Sequence, residues 1–260
     1  MTPAAFKRSI RDLQVWCSSC MVAFSGSDPI GVLIGAKRPS GTLVHKIAVH
    51  PEHRRQGHGR HLLASLSSKL AILGPPRIIA EVPETLAPAC ELFTSGGYVR
   101  EALLTDYVLH REENPSTLAE GPRSLRAGDH DGGFVIPVTI DDLAANGLLE
   151  EPHPQVCWQR SVETLTARKD EIAGLAVASD ERIEAYLLYV RGAPEAEVLS
   201  LRSFIDDSGA RLKQLLLQLG TRTFRFSKVH PAEISQEHLE TLGFRRAGGD
   251  VLYAATARSE

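Results

Sequence analysis

Residues 50 to 63, His-Pro-Glu-His-Arg-Arg-Gln-Gly-His-Gly-Arg-His-Leu-Leu, gather four histidines, three arginines and two glycines. Three chemistries could use such a set. A metal site is one, since His45, His50, His53, His58 and His61 are dense and His58 and His61 lie three apart. No Cys or Asp joins them at ligand spacing, so no metal is expected. A nucleic-acid patch is the second. Residues 45 to 61 carry four Lys/Arg against Glu52, a local charge of +3, but no aromatic side chains interleave for stacking. The third is an anion cradle, and the local context fits it. A strand ends at Val49, Pro51 breaks it, a loop runs through Gly57 and Gly59, and an apolar-periodic helix begins. The first turn of a helix presents N–H groups with no internal partner, and its dipole places partial positive charge there. Gly57 and Gly59 let the backbone approach an anion and take left-handed conformations. Arg54, Arg55 and Arg60 add charge. A pyrophosphate is the natural guest.

Strand and helix signals alternate around this loop. Residues 21–27 and 29–36 are apolar runs joined by Ser-Asp-Pro, which predicts a hairpin. Residues 42–50 form a third strand. Leu62, Leu63, Leu66, Leu70 and Leu73 recur at helical spacing, and Gly74-Pro75-Pro76 ends that helix. Residues 77–82 make a fourth strand, 86–98 a short helix ended by a glycine pair, and 98–110 a final strand pair.

Residues 111 to 133 are rich in charge, Pro, Gly and Ser and read as a linker. The expected division is a domain at 1–111, a linker at 112–133 and a domain at 134–260. The second half repeats the order of the first: a strand at 134–140, mostly helix over 141–168, a hairpin, a strand, the helix 209–220, a strand, a helix and a last strand. The first copy has no counterpart of the strand at 134–140. Either the chain lacks it, or the second domain or another chain supplies it, because an open edge is a pairing liability.

The stretch Arg54-Arg55-Gln56-Gly57-His58-Gly59, with a strand and Val-x-Pro-Glu-x-Arg leading into it and Leu-Leu after it, resembles the acyl-CoA-binding motif of the GNAT superfamily of N-acyltransferases. The likeness covers residues 5 to 110 well and 134 to 260 more weakly, and Trp158-Gln159-Arg160 is similar to a segment opening the second half of two-domain members. The resemblance implies an α+β fold of two such domains, each a twisted, mixed, mostly antiparallel sheet flanked by helices, the second degenerate. It implies acetyl-CoA as co-substrate without a metal. The pyrophosphate would sit on the N–H groups of Arg55, Gln56, Gly57, His58, Gly59 and Arg60, beside Arg54. The pantetheine would run along Ile47, Ala48 and Val49, with the Val49 N–H as oxyanion donor. A primary amine, on a small molecule or a protein, would attack directly in a ternary complex. His45, four residues before Val49 on the same strand face, and Glu81 on the neighbouring strand are the candidate bases. A half-buried, hydrogen-bonded structural histidine is an equal reading of His45.

The sequence departs from that family at the leaving group. The register set by Ala89 and Gly97 puts Leu86 where an Asn is usual and Phe93 where a Tyr usually protonates the thiolate, and neither donates a proton. A non-catalytic acyl-CoA-binding or sensing protein is the alternative. Tyr98 and Tyr107 carry little weight as substitutes. In the second half, Asp206 and Asp207 precede Gly209-Ala210, where a pyrophosphate would be repelled, and Leu239 stands at the Tyr position. That half is expected to bind no acyl-CoA. Cys17 and Cys20 flank no redox-type helix start and read as packed small residues. The net charge of −3 gives no global field for nucleic acid or membrane. Four cysteines, no secretory signal and no apolar run of membrane length suggest a cytoplasmic protein. A homodimer is compatible with the open edge.

Overall fold

A computed structural model of the chain describes residues 2–111, 133–149, 156–192 and 195–258. Residues 112–132 of the expected linker lie outside them. The chain divides into two compact units, and neither is one contiguous segment. The first comprises Met1–Thr105, Gln155–Ala167 and Gly248–Glu260; the second comprises Asp106–Pro154 and Arg168–Ala247.

The first unit contains helix α1 (Pro3–Leu13), strands β1 (Met21–Ser25), β2 (Asp28–Arg38) and β3 (Gly41–Val49), and helix α2 (His58–Leu73). Strand β4 (Arg77–Pro83), helix α3 (Ala87–Ser95) and the start of β5 (Val99–His110) follow. Its sheet order is β1-β2-β3-β4, then β11 (Arg245–Thr256), then β5. The predicted strand pair at 98–110 is therefore one long strand. Residues 103 to 107, Leu-Leu-Thr-Asp-Tyr, carry no glycine, asparagine or proline that would close a hairpin. The neighbour comes from the far end of the chain, and β11 runs antiparallel to β4 from Asp250↔Pro83 to Thr256↔Arg77. Gly249 makes the close approach to β5 feasible, because a Cβ there would lie 3.0 Å from the Leu104 carbonyl oxygen.

A second distant piece also joins this unit. The Trp158 indole N–H donates to the Leu13 carbonyl at 2.9 Å. The buried Arg38 guanidinium lies 4.0 Å over the Trp158 ring and donates to Ser161 Oγ at 2.5 Å and to Thr164 Oγ1 on α5 (Val162–Ala167). A buried guanidinium left without such partners costs several kcal/mol, so these contacts hold residues 157–164 in one pose. Leu62, Leu63, Leu66 and Leu70 of α2 are buried with Ile78, Ala80, Val82, Phe93 and Val251. Leu73, the last leucine of the predicted stripe, is exposed, because the helix ends beside it at Gly74. Among the described residues no strand pairs with the outer edge of β1.

The second unit takes the remainder of β5 from Asp106. It adds β6 (Phe134–Val138), α4 (Ile140–Ala145), β7 (Ala173–Ala178), β8 (Ile183–Arg191) and β9 (Glu195–Ser203). Helix α6 (Ala210–Gln218), β10 (Thr223–Val229) and α7 (Gln236–Thr241) complete it. Its order is β5-β10-β9-β8-β7-β6. β9 and β10 pair in parallel, while β6–β7, β7–β8 and β8–β9 are antiparallel. Both units are thus mixed, mostly antiparallel sheets flanked by helices. The strand predicted at 134–140 stops at Val138, because Thr139 caps α4: its hydroxyl accepts from the Asp142 N–H, and the Asp142 carboxylate accepts in return. No helix among the described residues is long and apolar enough to cross a membrane.

Candidate functional site

The loop between β3 and α2 is shaped by its own side chains. The Arg54 Nε–H donates to the Val49 carbonyl at 3.0 Å, and the Gln56 amide donates to the Glu52 carbonyl at 3.1 Å. Arg55 and Gly57 adopt positive φ, +62° and +87°. These turns aim the chain into α2, whose N-cap residue is Gly57. No side chain among the described residues accepts from the N–H groups of the first turn of α2. A sixteen-residue helix therefore begins with bare donors and the positive end of its dipole, beside a loop of positive-φ backbone.

The two glycines have different tasks. Gly57 takes the left-handed conformation, and a Cβ there would meet nothing within 4 Å. Gly59 is helical. A Cβ there would lie 3.1 and 3.2 Å from the Leu92 methyls, so its small size serves the packing of α2 on α3. The arginines also differ. Arg54 is spent on the loop, Arg55 pairs with Glu91 of α3 at 2.9 Å with both side chains largely exposed, and Arg60 is exposed.

Strands β3 and β4 pair in parallel only at Thr42↔Ile78 and Leu43↔Ile79; β3 runs on to Val49 without further pairing to β4. The His50 N–H donates to the Ile30 carbonyl of β2. Successive amides along a strand alternate in direction, so the Val49 and Ile47 N–H groups turn to the other, parted edge. The Val49 carbonyl shares that edge and is held by Arg54. Among the described residues this is an open strand edge ending at the helix N-terminus, and Ile47, Ala48 and Val49 are its last three residues.

His45 falls at the register break of β3, where Lys46 pairs with Ile34 and Val44 with Gly35. It lies on the half-buried face with Ile47 and Val49, while Lys46 and Ala48 are exposed. Glu81 faces the other side of the sheet. Ile78, Ala80 and Val82 pack against the α2 leucines, whereas the Glu81 carboxylate accepts from the Trp158 backbone N–H at 2.8 Å. The two candidate bases do not converge. Leu86 is exposed at the N-cap of α3, and Phe93 is buried, stacked on Tyr253 of β11 with ring centroids 5.7 Å apart. Tyr98 is buried edge-on against Phe93; its hydroxyl finds no partner among the described residues, and burial pushes its pKa well above the ordinary phenol value. It is held as a neutral phenol. Tyr107 lies in the core of the second unit.

The second unit has a parallel construction with a different outcome. Ser208 and Gly209 take positive φ, +54° and +80°, before α6. The Asp207 carboxylate accepts from the Gly209 N–H at 3.0 Å and the Arg211 N–H at 2.8 Å. The anion position of this helix is taken by the chain's own carboxylate.

Sequence reasoning missed Trp158, Arg38 and the β11 residues as parts of the first unit. Trp158 stood out only through the likeness of Trp158-Gln159-Arg160 to a segment opening the second half of two-domain members, and that likeness says nothing of where it docks. Among the described residues no group of three or more His, Cys, Asp or Glu converges as metal ligands, and Cys17 and Cys20 are free thiols.

Residues 3–98 match the acetyltransferase (GNAT) family. A mycothiol acetyltransferase of Thermomonospora curvata is 30% identical over 229 residues, covering 80% of this chain and 72% of that one. Among solved structures, a tandem GNAT protein from the clavulanic acid biosynthesis pathway superposes over 97% of this chain and 88% of its own, with a TM-score of 0.61 at 19% identity. A GCN5-related N-acetyltransferase from Sphaerobacter thermophilus does so over 92% and 81%, with a TM-score of 0.60 at 14% identity. The 30% identity to the mycothiol acetyltransferase over most of both chains, together with the family match at residues 3–98, shows that the chain belongs to the GNAT family of N-acetyltransferases.

Proposed function

We propose that the first unit holds acetyl-CoA between the parted edge of β3 and the N-terminus of α2 and moves the acetyl group to a primary amine by direct attack. The observation that carries this reading is the uncapped start of α2 lying at the end of an unpaired strand edge. The N–H groups of residues 55 to 60 would receive the pyrophosphate. Ile47, Ala48 and Val49 would pair with the pantetheine amides as an added strand does. The Val49 N–H, directed to that edge, would meet the charge developing on the acyl oxygen. Bound acetyl-CoA supplies an activated acyl group and a thiol whose pKa is about 8.5 by analogy with cysteine, a tolerable leaving group without a side-chain acid. His45 and Glu81 are the candidate bases, the first beside Val49 and the second tethered to Trp158. The acceptor is a small molecule or a protein carrying the amine.

Phe93, buried against Tyr253, favours one other reading: a protein that binds acyl-CoA without transfer. A thiol-release assay over an amine panel separates the two. Turnover with at least one amine supports the enzyme, and a pH profile that loses its acidic limb in His45→Gln or in Glu81→Gln identifies the base. Silence across the panel with acetyl-CoA still bound supports the binder.

A further inference from the structure

We propose that β1 is a self-association edge: two copies of the chain pair through it, antiparallel about a two-fold axis, and so complete the first unit's sheet. The two units supply the reasoning. In the second unit the outer edge of β7 is covered by β6, from Phe134↔Ala178 to Val138↔Gly174. In the first unit the corresponding strand, β1, pairs with β2 on one side, and no described residue pairs on the other. The same edge continues into residues 15 and 16, since Val15 bridges Ala36 and the Trp16 N–H donates to the Gly35 carbonyl at 3.2 Å.

The chemistry of this edge selects its occupant. Solvent-facing edge strands are ordinarily protected by lysines, inward charges or proline. Residues 13 to 27 contain no Asp, Glu, Lys, Arg or Pro. Instead Trp16, Val22 and Phe24 stand 58%, 52% and 60% exposed, while Met21 and Ala23 on the other face pack against the first unit's core. A two-fold axis sets each residue of the strand opposite another residue of the same strand, so charges of one sign here would face each other across the pair; an uncharged strand has no such penalty. The axis also keeps the faces in register. Val22 and Phe24 of each copy would lie side by side on one face, as cross-strand apolar pairs do, and the Met21–Ala23 face would continue the core side.

Sedimentation velocity across a concentration series of the full chain, with hydrogen exchange at residues 21–25, tests this. The expected result is a concentration-dependent dimer with protected β1 amides. Val22→Lys with Phe24→Lys should leave a monomer whose β1 amides exchange at least tenfold faster, with an unchanged circular-dichroism spectrum and a melting temperature that no longer rises with concentration. Ile72→Lys, at an equally bare apolar position on α2 (77% exposed), should remain a dimer. If the double variant unfolds, Phe24→Thr alone should weaken the dimer several-fold. A chain monomeric at every concentration, a dimer that survives the double lysine variant, or a monomer with protected β1 amides overturns the proposal.

Discussion

Two helices of this chain begin in the same way and end up with opposite chemistry. α2 and α6 each follow a positive-φ residue and a positive-φ glycine, Arg55 and Gly57 in one case, Ser208 and Gly209 in the other. At α2 no side chain among the described residues accepts from the first-turn donors, and a Cβ at Gly57 would meet nothing within 4 Å. At α6 the Asp207 carboxylate takes two of the donors, and a Cβ at Gly209 would meet Leu242 at 3.0 Å and His238 at 3.3 Å. The backbone turn alone therefore does not make an anion site. What differs is whether a local acid has already occupied it and whether the approach is clear. Each unit keeps the turn, and in one of them no described side chain accepts from the donors that follow it.

The widest separation should come from Gly57→Val. A β-branched residue is strained at φ +87°, by about 1–3 kcal/mol, and the loop must move to relieve it. Acetyl-CoA affinity should fall by about two orders of magnitude or more, read as loss of the ligand-induced rise in melting temperature. Asp207→Ala comes next. It should lower stability by about 0.5–2 kcal/mol in a denaturant titration, as loss of a helix cap does, and leave acetyl-CoA binding as it was. Gly59→Ala is smaller and sharpens the division of labour between the two glycines. It should cost about 1 kcal/mol or less of stability as the Leu92 methyls give way, with acetyl-CoA affinity altered less than threefold. Arg55→Ala is the smallest. Its pair with Glu91 is exposed and should contribute little to the melt, while acetyl-CoA affinity drops a few-fold at low salt and not at high salt.

The backbone of the β3–α2 loop was more legible in the sequence than the strand order around it. Arg-Arg-Gln-Gly-His-Gly is contiguous, and a local backbone feature such as a helix start needs only local residues to declare itself. The same holds for Asp206-Asp207 ahead of Gly209. Strand order was less legible. Nothing within residues 98–110 says that a single strand replaces a hairpin, or that Tyr253 arrives to stack on Phe93, because that pairing spans more than 150 residues of chain and is decided by packing. The division at 112–133 follows composition, yet the compact units are assembled from interleaved pieces, since Trp158 and β11 find their burial with the first half. The glycines illustrate the limit at one residue: Gly57 and Gly59 look alike in the sequence, while only the neighbour Leu92, 33 positions away, shows that the small size of the second serves packing.

Isothermal titration calorimetry of the full chain with acetyl-CoA tests the central contrast most directly. One acetyl-CoA per chain is predicted, lost in Gly57→Val and retained in Asp207→Ala. Two per chain, or one that persists in Gly57→Val, would contradict the assignment of acyl-CoA to the N-terminus of α2 alone.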